Sequence, residues 1–400
     1  MRSLRRFLWP TVIVVVCAAA AVAVLTTRRA RPAVASPAVQ RAQAALGALR
    51  AAYYDPTVGL LATNAAPSGQ PYGVAAGGTL LNLPSFKATD MWDYSWALAS
   101  VEDVAQLPGG SVYLPLVRTL ADHLSEYWDA GAPVPGYAPT PHPGPGANKY
   151  FDDNAWAGLD LIAAYHLTHD AAYLTQAEAV FRYEESGWDT AGGGGIWWDD
   201  AHFQRNTAAN APVAELAAYL YMATHQATYL TWSEKIYSWE VANLVDPVTG
   251  AVWDNIQGTK VSHRLWTYNQ GDVIGAATLL YEITHQPAYL AQAKKTASYA
   301  LSMVQVGSIL LAQPSFNGVL ADNLQLLYQV APNPQIVTLI DANAQSAWSN
   351  ARNSSGLFAQ NWGGPPTANS TIDLLTQTGA VRLFAVAAAL EHGGFGHLWL

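Results

Sequence analysis

The chain repeats itself, and the repeat sets the kind of fold it can adopt. Tyr165-His166-Leu167-Thr168-His169 is followed by Tyr173-Leu174, Tyr221-Met222-Ala223-Thr224-His225 by Tyr229-Leu230, and Tyr281-Glu282-Ile283-Thr284-His285 by Tyr289-Leu290. The internal offsets are identical, and the copies start 56 and 60 residues apart. A fainter copy begins at Tyr328, with Ala331-Pro332-Asn333-Pro334 as the break and Ile336-Val337 in the Tyr-Leu positions. Each copy joins one Ala/Leu-rich stretch to another through a short polar turn, which makes an αα-hairpin of antiparallel helices. Such a unit cannot bury its apolar face alone, so neighbours must stack.

Twelve helices are expected, near 37–54, 90–106, 111–129, 152–167, 171–184, 206–224, 227–244, 268–284, 287–304, 315–330, 333–351 and 371–391. The loops 131–151, 186–205 and 245–267, between hairpins, are long, aromatic and Gly-rich, whereas the turns within hairpins are short. Long loops gathered on one side build a site. Six hairpins closing into an all-α (α/α)6 barrel account for this asymmetry better than an open solenoid. No sustained two-residue alternation points to strands.

Residues 1–35 differ from the rest. Arg2, Arg5 and Arg6 precede an apolar run from Phe7 to Leu25, and Arg28, Arg29 and Arg31 follow it. The 19 residues of this run nearly match a bilayer core of about 30 Å. Residues 1–35 read either as a signal peptide ending at Ala33-Val34-Ala35 or as a membrane anchor through residues 7–25. Both readings place residues 36–400 outside the cytoplasm, secreted or at the cell surface. Removing the six arginines of the leader leaves 14 basic residues against 29 acidic ones, a net charge of −15. A body that acidic is repelled by phosphate backbones, so nucleic acid is not an expected partner. The single cysteine, Cys17, lies in the leader, so no disulfide is expected in the body. Hydrophobic residues make up 51% of the chain and charged residues 12%, enough for a large core and against disorder.

Tyr150-Phe151-Asp152-Asp153-Asn154-Ala155-Trp156 opens the fourth expected helix. Acids in a first helical turn have two readings. They cap the helix and complement its dipole, or they form a carboxylate pair in which one charge raises the pKa of the other, as glycosidic chemistry requires. Position alone does not separate the two. The next loop carries Gly192–Gly195, Ile196, Trp197, Trp198, Asp199 and Asp200, and runs into Asn206 and Asn210, which share one helical face. Glycines permit close backbone approach, and Trp faces stack on apolar sugar faces; the 15 Trp and 20 Tyr against 9 Phe fit that use. The alternative makes Asn206 a helix cap and Asn210 a satisfied core amide. One hairpin further on stand Trp266-Thr267-Tyr268-Asn269-Gln270-Gly271-Asp272, while Trp92, Asp93 and Trp96 hold the corresponding end of the second helix.

Together, Asp152-Asp153-x-x-Trp156, Gly194-Gly195-Ile196-Trp197-Trp198-Asp199, Asn206/Asn210 and Thr267-Tyr268-Asn269-Gln270-Gly271 resemble glycoside hydrolase family 76. The resemblance extends over most of the chain after the leader. It implies an (α/α)6 barrel and endo-acting, retaining hydrolysis of α-1,6-mannan or a related α-mannoside polymer, with no metal or other cofactor. It places the nucleophile at Asp152 and the general acid/base at Asp153. It implies sugar subsites lined by Trp197, Trp198, Asn206, Asn210, Tyr268, Asn269 and Gln270, and the helix starts on the same side add Trp92, Asp93 and Trp156 to the expected substrate-binding residues. The chain departs from the family pattern at Asn317, in place of Lys, and Asp322, in place of Arg, which suggests an altered subsite. A monomer is expected.

His169, His225 and His285 resemble a metal set, but they occupy equivalent turns of different hairpins and so stand apart around a ring; their expected role is structural. Asp199-Asp200-x-His202 reads as a solvated loop or a secondary polar contact. Alternative functions are transglycosylation on cell-wall mannan, through the same covalent intermediate, and a non-catalytic cell-surface glycan-binding barrel.

Overall fold

Hairpins at the repeat spacing are what the chain forms. The computed structural model describes residues 35–65, 87–131, 134–144, 146–305, 307–310, 312–366 and 372–395. Residues 1–34 lie outside them, and so do the signal-peptide and membrane-anchor readings of the 1–35 leader and the single cysteine, Cys17. Among the described residues there are twelve α-helices: α1 (Pro37–Tyr53), α2 (Met91–Gln106), α3 (Leu114–His123), α4 (Phe151–Thr168), α5 (Ala171–Ser186), α6 (Thr207–Thr224), α7 (Ala227–Leu244), α8 (Thr267–Thr284), α9 (Pro287–Ala300), α10 (Pro314–Val330), α11 (Pro334–Ser346) and α12 (Leu374–Leu390). None is long and apolar enough to cross a membrane.

The even-numbered helices form the inner ring. Each packs on the next, and α12 returns to α2, so the all-α barrel is closed. A helix in such a ring meets neighbours on every side and is apolar nearly all round; α6 buries all but a few residues of its last turns. Gly271 and Gly379 mark the closest approaches, since a Cβ would fall 2.9 Å from the Leu320 backbone and 2.0 Å from the Pro314 carbonyl oxygen respectively. Five outer helices follow their inner partners in sequence, but the sixth pair joins the two ends of the chain, α1 lying against α12.

The repeat has a structural reason at each of its marked positions. His169, His225 and His285 follow α4, α6 and α8 in the left-handed conformation, each with φ of 56°. Each backbone N–H closes the helix on the carbonyl of Tyr165, Tyr221 or Tyr281. The second tyrosine of each copy stitches its hairpin to the preceding one. Tyr173 donates to Asp122 on α3 at 2.8 Å, Tyr229 to Glu178 on α5 at 3.0 Å, and Tyr289 to Glu234 on α7 at 3.2 Å.

Three expected helices are shorter than the pattern suggested. The stretch 111–129 is an α-helix only over α3, flanked by 3-10 turns, and Trp128–Asp129 pairs as a strand with Gly136–Tyr137. The stretch 287–304 ends at Ala300, and 333–351 finishes in a π-helical turn, Ala347–Ala351. The long loops carry small antiparallel sheets absent from the helical pattern. The largest joins Arg205–Asn206, Asn255–Gln257 and Lys260–Ser262, with Arg205 opposite Ile256 and Asn255 opposite Ser262. It ties the loop before α6 to the loop before α8, at the end of the barrel where the inner helices start.

Candidate active site

Loops this long stay put only if their backbone polar groups find partners. The fourth residue of three inner helices supplies them. Asn154 accepts from the Tyr137 N–H at 2.6 Å and donates to its carbonyl at 2.9 Å. Asn210 treats Ile196 the same way, at 2.7 and 3.0 Å. Gln270 does so with Val252, at 2.8 Å in both directions. Each amide also donates to the carbonyl four residues back, that of the N-cap residue of its helix. These side chains are clamps on the loop backbone, fully buried. Asn210 and Gln270, read from the sequence as sugar contacts, therefore have their hydrogen-bonding capacity used up away from the cleft.

Beside these clamps, α4 begins with Tyr150 as its N-cap, in extended conformation and without a side-chain cap bond, so neither aspartate holds the N-cap position. Asp152 accepts the Asp153 N–H at 3.0 Å through Oδ1 and the Trp198 indole N–H at 2.8 Å through Oδ2. Trp198 is delivered by pairing between 149–151 and 198–200: the Phe151 N–H donates to the Trp198 carbonyl at 2.9 Å, and the Asp200 N–H to the Lys149 carbonyl at 3.0 Å. Burial pushes the Asp152 carboxyl up to about 6, with the indole and the backbone amides holding it down. Burial, and then the charge of Asp152, push Asp153 well above the carboxylate range. One carboxyl is thus set to ionise well before its neighbour.

Both carboxyls border a cavity of about 480 Å³ at the mouth of the barrel. Trp92, Trp96, Trp156, Tyr268 and Trp198 supply its aromatic surface. Trp96 stands edge-on to both Trp92 and Trp156, at 5.3 Å in each case. Asn206 also borders it, while its Oδ1 caps α6 by accepting the Ala209 N–H at 3.1 Å. Seven of the residues expected there from the sequence are therefore brought together: Asp152, Asp153, Trp92, Trp156, Trp198, Asn206 and Tyr268. Asp93 stands to one side, accepting from the Thr89 hydroxyl at 3.1 Å, with burial raising its carboxyl to about 6. Trp197 is held outside the cleft between the Arg205 guanidinium, 5.2 Å from its ring, and the His202 imidazole stacked at 5.1 Å. Asn269 is fully buried beside Asp254.

Asp254, Asp90, Gln204 and Tyr150 border the cleft and were not singled out from the sequence. Asp254 had a faint signal, as Trp-Asp pairs recur at 92–93, 128–129, 188–189, 198–199 and 253–254. Asp199 is buried rather than solvated; it accepts from the Asn148 amide at 3.2 Å and the Phe203 N–H at 3.3 Å. Among the described residues no three His, Cys, Asp or Glu side chains are grouped to hold a metal ion.

The two departures, Asn317 and Asp322, are not in this cleft. Asn317 accepts from the Thr267 hydroxyl at 2.9 Å and donates to the Ala312 carbonyl at 2.9 Å, inside the wall. Asp322 pairs with Arg382 of α12 and lines a separate cavity of about 170 Å³, with Glu102, Asp103, Asp160 and Glu215. Every inner helix except α8 thus contributes an ionisable side chain to this cavity.

The model of glycosyl hydrolase family 76 matches residues 72–393. A mannan endo-1,6-alpha-mannosidase of Saccharomyces cerevisiae is 28% identical over 227 residues, which are 49% of this chain and 51% of the relative. One from Eremothecium gossypii is 30% identical over 229 residues, again 49% and 51%. The chain spans about half the length of the curated relatives it matches. Among solved structures, the GH76A alpha-1,6-mannanase of Salegentibacter sp. HEL1_6 superposes with a TM-score of 0.74 at 26% identity, over 88% of this chain and 99% of that one. An inactive variant of it, with two consecutive aspartates replaced by asparagine, was solved in complex with alpha-1,6-mannotriose (TM-score 0.73, 26% identity, 88% and 99% covered). A family 76 mannosidase of Bacteroides thetaiotaomicron shares the fold, with a TM-score of 0.78 at 22% identity over 89% and 99% of the two chains.

Proposed function

Because this chain belongs to glycosyl hydrolase family 76, we propose that it is a retaining, endo-acting hydrolase of α-1,6-linked mannan. The reading is carried by one observation: two consecutive carboxyls border the same aromatic cleft, and neither occupies the N-cap position of its helix. An adjacent pair of aspartates is also what was replaced to inactivate the Salegentibacter mannanase.

In this reading Asp152 is the nucleophile. Trp198 and the first-turn amides keep it ionised, so its lone pair is available to the anomeric carbon. Asp153 keeps its proton and gives it to the departing glycosidic oxygen. The sugar–oxygen bond breaks as the bond to an Asp152 oxygen forms. Asp153, now charged, then takes a proton from the incoming water, which displaces Asp152 with a second inversion. Trp92, Trp156 and Tyr268 offer ring faces to the sugars, and Asn206 and Asp254 offer polar contacts to their hydroxyls. The chemistry needs neither metal nor cofactor. We read residues 1–35 as an export segment, so that residues 36–400 meet an extracellular or cell-surface polymer.

The test is release of oligosaccharides from α-1,6-mannan by the wild-type chain, Asp152→Asn and Asp153→Asn. Losses of about 10³-fold or more in both variants are expected. Equal activity in all three defeats the assignment.

A further inference from the structure

The hydrogen bond from Trp198 to Asp152 depends on a loop, and a buried lysine stands behind that loop. The Lys149 side chain is 1% exposed, with Nζ 3.4 Å from Asp200 Oδ2 and 3.7 Å from Asp129 Oδ2. The ammonium also lies 5.7 Å from the centre of the Tyr183 ring. Asp200 is gripped from two other directions, by the Lys149 N–H at 3.2 Å and the Tyr183 hydroxyl at 2.8 Å. One buried cation therefore joins the Trp128–Asp129 strand, helix α5 and the loop that carries Trp198. A buried ammonium is tolerated only where acids compensate it, and these acids in turn lose their reason to stay if it is removed.

We propose that Lys149 is a positioning residue for the catalytic pair: by fixing Asp200 it holds the 198–200 segment against 149–151 and so aims the Trp198 indole at Asp152. This rests on the reading of Asp152 as the nucleophile. The ionisable groups around Asp152 are Asp153 on its own helix, Asp199 on the loop, Glu184 on α5 and Tyr268 on α8, with Asp90, Tyr150 and Asp254 bordering the same cleft. None of them is a cation. The indole and the first-turn amides are the groups that favour its charged form, so loosening the loop makes Asp152 harder to ionise.

The experiment measures kcat/KM for α-1,6-mannotetraose against pH for wild type, Lys149→Met, Lys149→Arg, Asp200→Asn, Trp198→Phe and the Lys149→Met/Trp198→Phe double variant. The acidic limb is expected to move up by about one pH unit in Lys149→Met, Asp200→Asn and Trp198→Phe. The double variant should move no further than either single one, and Lys149→Arg should recover most of the shift. At about pH 6, kcat should fall about fivefold in Lys149→Met while KM changes less. A purely structural lysine would lower thermal stability and leave the limb where it was; that result overturns the proposal. If Lys149→Met does not fold, the limb of Asp200→Asn decides in the same way. Asp152→Asn is assayed alongside. Full activity there removes both the nucleophile and the positioning role, whereas an inactive Asp152→Asn beside unmoved limbs removes the positioning role alone.

Discussion

The Trp198 indole nitrogen lies 2.8 Å from Oδ2 of Asp152, across 46 residues of chain. That contact gives the two neighbouring aspartates different tasks. One oxygen of Asp152 takes this bond and the other takes a first-turn amide, whereas Asp153 is set beside a charge of its own sign. Two identical residues are made unlike by their surroundings.

The pH profile follows from this asymmetry. Asp152 must be charged to attack, and its carboxyl sits at about 6; Asp153 must keep its proton and is held well above the carboxylate range. Plotted against pH, kcat/KM should rise through about pH 6 and fall on the alkaline side. A profile already flat below pH 5 would mean that Asp152 is not the titrating base.

Replacing a clamp should damage the fold rather than substrate affinity. Asn210→Leu leaves the Ile196 N–H and carbonyl buried without their partner. The expected cost is about 2–4 kcal/mol in denaturant unfolding. KM should stay near wild type for the folded fraction. A large KM increase at unchanged stability would restore Asn210 to the sugar site.

The acids inside the barrel make stability depend on pH. Burial raises Asp160 to about 8 and Asp322 to about 6, from about 3.9 in an unfolded chain. Between the unfolded and folded values the native chain holds protons that the unfolded chain has released, so unfolding free energy falls as pH rises. The contribution is complete below about pH 4 and disappears through about pH 8. Chemical denaturation at about pH 5 and about pH 8 should show this decline, and Asp160→Asn should flatten it. Arg382→Met, which strips Asp322 and Asp103 of their counter-ion, should cost about 3–5 kcal/mol near neutral pH. Stability that climbs between pH 5 and 8 in the wild type would contradict this reading.

His225 should tolerate glycine. It occupies a left-handed position after α6, with φ of 56°. His225→Gly should keep unfolding free energy within about 1 kcal/mol of wild type, and His225→Val should cost more. Activity should be unchanged in both, and a selective loss of activity in the glycine variant would give the imidazole a role that the turn geometry does not.

The hairpins were legible because their period, turns and apolar stripes are local properties of the chain. The pairing of α1 with α12 was not, since nothing in either segment names the other. Asp152 and Asp153 could be picked out but not separated from a capping role, because the two uses look alike until Tyr150 is seen as the cap. Asn210 and Gln270 stand where sugar contacts would, and only the loop backbone folded against them reveals clamps. Asp322 reads as a subsite residue because sequence position does not show how far down the barrel a side chain points; its partner Arg382 lies on another helix. The place of Asp254 at the cleft is not legible in the sequence because it depends on a small sheet that no helical pattern predicts.

In the proposed mechanism Asp152 attacks the anomeric carbon and becomes covalently bound to the sugar. The most direct measurement treats the chain with an activated 2-deoxy-2-fluoro-α-mannosyl donor, which slows release of the covalent intermediate, and maps the label by peptide mass spectrometry. One fluorosugar on Asp152, absent from Asp152→Asn, is the predicted result. A label on Asp153, or none while the donor is turned over with inverted anomeric configuration, would contradict it.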